Sequence, residues 1–393
     1  MRTVTIDDLG SIFDGPHATP TRRDRGPYFL NIASLQQGRL DLSQSDHVDE
    51  DDYAKWTRRV TPQEGDLLFS YETRLGDAAI MPSGVTACLG RRMALLRPNR
   101  EVVEPRYLLY RYLSPDFAEL IRANTIHGAT VDRIALSTMG EWPVQVHELS
   151  EQRAIAEVLG ALDDMIAANG HASGLAEGLL RAKFDQLGVI DDVGGGNAVL
   201  SELIEFQPRR VVSGEVPFID MQAIPMRGWT LPAPSEREAK GGARFTNGDT
   251  LLARITPCLE NRKTGYVDDL PDGAVGVGST EFIVMRTREP HPLPLSFFIA
   301  TDETFRAYAI QHMVGTSGRQ RVSAADLATC AIHMPSPEAV HEWGQLADPL
   351  FARVRAMGRE NRTLAALRDA LLPELMSGRL PVKDAAKTVE EVV

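Results

Sequence analysis

The sequence predicts an α/β (α+β) fold: two mixed modules in tandem pseudo-repeat, separated by two long, antiparallel, coiled-coil-like helices. Three observations predict it. Segments recur in the same order at an offset of about 183–190 residues: "GPYFLNIASL" from Gly26 with "EVPFIDMQAI" from Glu215, "EGDLLFSY" from Glu64 with "NGDTLLAR" from Asn247, and "HGATVDRIALSTM" from His127 with "GTSGRQRVSAADL" from Gly315. Both copies hold short β-favouring runs between Gly, Pro and Asp breakers. Each copy then leads into a long stretch whose apolar residues fall three and four apart, the period of a helix with one buried face.

In chain order, strands are expected at "GDLLFSY" and "RMALLRP", then helix at "PRYLLYRYLSPDFAELIRANT". The second copy repeats this with "GDTLLAR", "TEFIVMR" and "PLSFFIATDETFRAYAIQHM". The boundaries read as a first module over 1–148, a helix over 149–187, a flexible Gly- and Asp-rich linker over 188–198, a second module over 199–337, a second helix over 338–380 and a flexible tail over 381–393. In the second helix Trp343, Leu346, Leu350, Val354, Met357, Asn361, Leu364, Leu367, Leu371 and Leu375 form a seam. Pro373 weakens its last turn, and Gly378 suits a C-cap. In the first, Ile155, Leu159, Leu162 and Ile166 are followed by Leu175, Leu179 and Leu187, while Gly170, Gly174 and Gly178 weaken the middle. Asn169 and Asn361 each put an amide on or near the seam, where a polar residue fixes register at some cost in stability. Such a helix of about 36 residues is roughly 54 Å long.

Composition excludes several classes. No apolar run approaches the roughly 18 residues of a membrane span, and "MRTVTIDDLGSIFDG" has acids where a leader would be apolar, so a cytoplasmic chain is expected. Cys88, Cys258 and Cys330 are far apart and outside any ligand spacing, so no metal is expected. Gly-Lys never occurs, which removes a phosphate loop of the Walker type, and no G-x-S-x-G or H-E-x-x-H is present. One nuclease-like set exists, Asp220 with Glu238 and Lys240, in a stretch that reads as a solvated loop. The net charge of −12 argues against a uniformly basic nucleic-acid binder. However, residues 151–198 alone carry 3 Lys+Arg against 8 Asp+Glu, which leaves the two modules nearer neutrality and able to carry a basic face.

Arginine-rich loops fall at matching places in the two copies. "HATPTRRDRG" holds Arg22, Arg23 and Arg25, and "FQPRRVV" holds Arg209 and Arg210. "SYETRLGD" holds Arg74, and "ARITPCLENRKTG" holds Arg254, Asn261, Arg262 and Lys263. "GATVDR" holds Thr130 and Arg133, and "GTSGRQR" holds Ser317, Arg319, Gln320 and Arg321. Arg pairs in bidentate fashion with guanine, Asn and Gln with adenine, and Lys, Ser and Thr sit on phosphate. For any single arginine a salt bridge to a neighbouring acid is an equal explanation. The matched set favours double-stranded DNA.

Two helical stretches carry a resemblance. "ELSEQRAIAEVLGALDDMI", Glu148 to Ile166, is similar to the central conserved region of the specificity subunits of type I restriction–modification enzymes, and "NRTLAALRDALLPELMSGRLPV", Asn361 to Val382, to their C-terminal conserved region. The match spans essentially the whole chain. The Glu-Gln pair of the first copy has no equivalent in "EAVHEW" of the second.

The resemblance implies two target-recognition domains that each read one part of a bipartite DNA site. It implies paired helices as a spacer, no catalytic activity in this chain, and docking of two modification subunits that methylate adenine with S-adenosylmethionine. Restriction subunits added to that complex would translocate and cleave DNA. This chain itself is expected to bind no cofactor. Helix faces outside the seam, with Glu151, Gln152, Arg368 and Asp369, are the expected partner surface. Because the copies differ, the half-sites should differ, giving an asymmetric, gapped target whose gap follows helix length. A metal-dependent nuclease built on Asp220, Glu238 and Lys240, and a scaffold that binds no DNA, are the alternatives.

Overall fold

The computed structural model describes every residue except 17, 37, 129, 191–194, 317 and 393. Its contacts divide the chain into two units, Met1–Met165 with Thr363–Val393, and Ile166–Arg362. Each unit is a mixed α/β module plus part of both long helices.

The first unit is built on a four-stranded antiparallel sheet. Its strands are β1 (Gly10–Asp14), β2 (Leu67–Ser70), β3 (Ala78–Ile80) and β4 (Met93–Pro98), in the order β1-β4-β2-β3. Every residue of β2 is buried, which explains its unbroken apolar run. Asp66 anchors that strand from below the surface. It is 2% exposed, accepts from the Gln63 amide at 2.8 Å, and takes Arg97 Nε and Nη2 at 3.0 and 2.7 Å. The expected helix after the sheet is two: α1 (Pro105–Leu113) and α2 (Pro115–Ala123). Ser114 caps the second and Pro115 opens it, a pairing that starts a helix afresh. A short hairpin of β5 (Thr125–Ile126) and β6 (Arg133–Ile134) follows.

A smaller sheet joins Arg23–Leu30 antiparallel to Asp46–His47 and parallel to Ala87–Leu89. At the end of the parallel pair a side chain on Gly90 would place its Cβ 1.9 Å from the Leu30 carbonyl oxygen, so only glycine fits.

The long helix α3 (Leu149–Asp185) begins in this unit, and Ile155, Leu159 and Leu162 are fully buried as the seam predicts. Residues 363–376 of the second long helix run antiparallel to it: Arg368 reaches Asp163 at 2.8 Å, and Gly378 lies beside His147. Arg111 on α1 donates to the Met376 carbonyl at 3.1 Å.

The second unit repeats the plan. Strands β7 (Ile204–Phe206), β8 (Thr250–Ala253), β9 (Thr264–Tyr266) and β10 (Phe282–Thr287) take the order β7-β10-β8-β9, the order of their first-unit counterparts. Asp249, with no exposed surface, does the work of Asp66: it accepts from the Thr246 amide at 2.7 Å and from Arg286 and Arg210 at 2.8 and 3.0 Å. The second apolar stretch again divides, into α4 (Leu295–Ala300) and α5 (Glu303–Gln311), capped by Asp302. Glu215–Ile219 pairs antiparallel with Ser235–Glu238 and parallel with Gly276–Gly278, and a Cβ on Gly278 would lie 2.6 Å from the Ile219 oxygen. The pseudo-repeat expected from three loose matches is therefore a repeat of topology.

Within this unit residues 166–185 of α3 pair antiparallel with 337–362 of α6 (Pro337–Met376). Asn169 donates to Asn361 at 2.9 Å, Ser173 faces Met357 Sδ, and Trp343 Nε1 donates to the Leu180 carbonyl at 3.3 Å. One hydrogen bond thus joins the two amides expected near the seam, and Asn169 Nδ2 also donates to Glu360 at 3.2 Å. Trp229 stacks on Phe351 at 4.1 Å in an aromatic core.

Part of the expected seam is corrected. Leu175 and Leu179 are 62% and 47% exposed, whereas Ala176, Leu180 and Phe184 are buried. The three–four spacing continues unbroken through 169, 173, 176, 180 and 184, and geometry outranks leucine identity. The glycines 170, 174 and 178 lie off the seam with open space about them, and the helix runs through them.

Other boundaries shift. The second helix ends at Met376, with Gly378 at φ 71° as its C-cap region requires. The stretch 381–393, expected as a flexible tail, holds a helix, α7 (Val382–Glu390), because Ala385 and Val389 form a buried face. The expected linker 188–198 falls partly outside the described residues. Before that gap Val189 is buried and its carbonyl accepts from the His333 amide at 3.0 Å. No helix among the described residues is long and apolar enough to cross a membrane.

Candidate nucleic-acid interface

In both units the loop after the second sheet strand is fastened to the loop closed by the hairpin. In the first unit the Thr73 amide donates to the Asp132 carbonyl at 3.1 Å and the Ile134 amide to the Tyr71 carbonyl at 2.8 Å. In the second, Thr256 donates to Gln320 at 3.1 Å and Val322 to Arg254 at 3.0 Å. Two sequence-predicted loops thereby become one platform in each unit, carrying Arg74, Thr130 and Arg133 in the first and Arg254, Asn261, Arg262, Lys263, Arg319, Gln320 and Arg321 in the second. Ser317 lies outside the described residues.

The sequence-predicted contact residues, on the platforms and on the Arg-rich segments before the smaller sheets, fall into two groups. Arg25, Thr130, Arg133, Arg209, Asn261 and Arg319 are exposed and make no side-chain hydrogen bond or ion pair among the described residues. They are free to meet a ligand. Arg22, Arg23 and Arg262 make exposed ion pairs with Asp46, Asp49 and Glu303 at 3.2, 3.0 and 2.7 Å. Such pairs are weak enough to exchange for phosphate. Asp49 stays below the ordinary carboxylate range because the Asp52 amide and then Arg23 bond it.

Four predicted contacts are corrected, because their donors are spent inside the protein. Arg74 donates to the carbonyls of Ile32 and Leu35, both at 3.2 Å. Lys263 donates to those of Met221 and Ile224 at 2.8 and 3.3 Å. These are matching turns, so one half-buried cation pins the same turn in each unit. Arg210 is only 12% exposed and pairs with Asp249. Arg321 makes a bidentate pair with Glu281, Nε to both carboxylate oxygens and Nη2 at 2.7 Å. That pair holds Glu281 below its ordinary range. Of the remaining two, Arg254 is half-buried, and Gln320 is half-buried with its carbonyl used by Thr256.

The expected partner surface is also revised. Glu151 and Asp369 are exposed. Gln152 has no exposed surface: its Nε2 donates to the carbonyls of Val102 and His147, and its Oε1 accepts from the Glu104 amide. It locks the start of α3 to the module rather than meeting a partner. Arg368 is 17% exposed and is held by Asp163 and Asp369.

The nuclease-like set does not assemble. Glu238 lies opposite Glu215 at one end of a strand, and Asp220 follows the other end, five residues and roughly 17 Å along at about 3.3 Å per residue. Asp220 instead accepts from the amides of Gln222 and Ala223, both at 2.8 Å.

No family model matches the chain. It is 21% identical to a putative type I restriction enzyme specificity subunit, MjaX, of Methanocaldococcus jannaschii, over 96% of this chain and 92% of that one. Along nearly its whole length the chain is thus similar to a specificity subunit of a type I restriction enzyme. A stretch of 94 residues is 34% identical to the EcoAI specificity subunit of Escherichia coli, covering 22% of this chain and 16% of that one. Among solved structures, the type I restriction-modification S subunit from M. genitalium superposes with a TM-score of 0.58 at 14% identity, over 95% of both chains, which establishes a shared fold. Gln152 and Asn361 lie in the helix stretches that carried the resemblance, the first buried and the second bonded to Asn169.

Residues that sequence reasoning missed are those that decide which arginines are free. Arg92 pairs with Glu72 at 3.1 Å in the first unit, and Glu281 captures Arg321 in the second. Positions 92 and 281 match in the repeat but carry opposite charge, a signal that alignment of the halves contains.

Proposed function

We propose that this chain is the DNA-recognition subunit of a cytoplasmic type I restriction–modification complex and reads an asymmetric, two-part site. The observation that carries the proposal is the pair of platforms: the same backbone bonds fasten both, while the free side chains differ. Identical scaffolds with different donors read different half-sites. In this reading the chain contributes no catalytic group. Two modification subunits, which carry S-adenosylmethionine, dock on it and methylate adenine, and restriction subunits join the same complex. Exposed Glu151 and Asp369 are the side chains of the expected partner surface that remain available.

The test is the pattern of methylated adenine in the source genome with and without this gene. Loss of one gapped, two-part motif on deletion is the expected result and gives the target sequence. An unchanged pattern in cells that express the complex would remove the proposal.

A further inference from the structure

Both platforms present an apolar side chain to solvent at the same place. In the first unit Ile126 pairs across the hairpin with Arg133, and in the second Val314 pairs with Arg321. Val314 and Arg321 exchange both backbone hydrogen bonds, at 3.0 and 2.9 Å, so that rung is closed and rigid. Yet Ile126 is 44% exposed and Val314 is 71% exposed. Val211 is more exposed still, but in the Gly26–Glu215 register the first unit has Arg22 at the matching position, so it is not a shared feature.

We propose that Ile126 and Val314 each contact the 5-methyl group of a thymine in their half-site. The inference rests on the DNA-recognition reading above and names one chemical feature that reading leaves open. In the major groove the thymine methyl is the apolar group of the base-pair code. A β-branched side chain on a rigid rung offers a preformed apolar face to it. The arginine opposite, with its Cβ about 5 Å away across the rung, sets the polar side of the same contact. In the first unit Arg133 is free to bond a neighbouring base or phosphate. In the second Arg321 is held by Glu281, so Val314 contributes its apolar contact alone. In the second unit Val314 is also short for insertion between stacked bases, which there favours methyl contact over a wedge.

The experiment uses the full chain co-expressed with its modification subunits, and duplexes carrying the gapped site with each thymine replaced in turn by deoxyuridine. In each half-site one replacement should weaken wild-type binding about fourfold, the effect of one buried methyl. Ile126→Ala should weaken binding to the thymine duplex by at least as much and become indifferent to that replacement in the first half-site only; Val314→Ala should do the same in the second. Ile126→Val should keep the discrimination. Half-sites without thymine, a wild type indifferent to every replacement, or variants that still discriminate would overturn the inference while leaving recognition itself intact. A wild type that binds none of the duplexes would remove the recognition reading first.

Discussion

The two units share a skeleton and differ in how they spend charge. In the first, the buried carboxylate Asp66 holds one guanidinium, Arg97. In the second, Asp249 holds two, Arg210 and Arg286, with no exposed surface of its own. On the platforms the order reverses. Arg92 and Glu72 neutralise each other in the first unit and leave Arg133 free, whereas Glu281 takes Arg321 in the second. A module can therefore keep its fold while one charge reversal, position 92 against 281, turns a ligand-facing arginine into a structural one. That is a low-cost route to a changed half-site.

The comparison breaks hardest at the buried carboxylates. Removing one partner of a buried, hydrogen-bonded ion pair costs about 3–5 kcal/mol, since it strands the other charge. Asp249→Ala strands two guanidinium groups and Asp66→Ala one, itself 32% exposed. Denaturant unfolding should show the larger loss for Asp249→Ala, about 4 kcal/mol, and about 2 kcal/mol for Asp66→Ala. Equal losses would mean that Arg210 contributes nothing to the second anchor.

A second difference appears in pH dependence. After β9 the second unit has Asp268, 9% exposed and pushed by burial up to about 7; after β3 the first unit has Met81 and Pro82. The folded value lies above the unfolded one, so the unfolded chain releases this proton first as pH rises. Stability is then lost between about pH 4 and pH 7, and the full penalty persists above 7. Asp268→Asn removes it. At pH 8 the variant should be more stable by about 2–4 kcal/mol, with little difference at pH 4. A gain that is the same at both pH values would show that Asp268 acts through packing.

On the platforms, Arg133→Ala should cost about 1–3 kcal/mol of binding, confined to the first half-site if the contact is to a base. Arg321→Ala should cost less in DNA binding, because that guanidinium is already committed. Glu281→Gln sharpens the point: it loosens Arg321 and should alter base preference in the second half-site. Competition between duplexes that differ at one base pair reads both effects. An equal loss for the two arginines would contradict the assignment of Arg321 as structural.

The sequence made the architecture legible where periodicity and repetition act together. Two apolar periods, matched strand runs and the seam amides Asn169 and Asn361 all appear in the structure where spacing put them. Sequence composition was less informative about the site. Arg74 and Lys263 look like surface cations, but they are consumed by the carbonyls of matching turns, and no residue-level pattern shows a carbonyl's position. Gln152 looked like an exposed motif residue for the same reason. Leu175 and Leu179 misled because residue type was weighed above spacing. The free or committed state of Arg133 and Arg321 depends on residues about 40 or more positions away in the chain, Arg92, Glu72 and Glu281, which only tertiary pairing brings near.

The smallest effect separates the long helices. In α3, Gly170, Gly174 and Gly178 have helical backbone, and an added Cβ on any of them would meet nothing within 4 Å. Glycine in a helix interior is less favourable than alanine by up to about 1 kcal/mol, because it has more backbone freedom to lose. Each Gly→Ala change should therefore stabilise by about 0.5–1 kcal/mol, read as a shift in the unfolding midpoint. In α6, Gly344 differs: its Cβ would lie 2.3 Å from Pro292, so Gly344→Ala should destabilise despite the better helix former. If the three α3 variants instead lose stability, the open face in α3 is covered by something that the isolated chain keeps, and the partner surface should then be sought on that face.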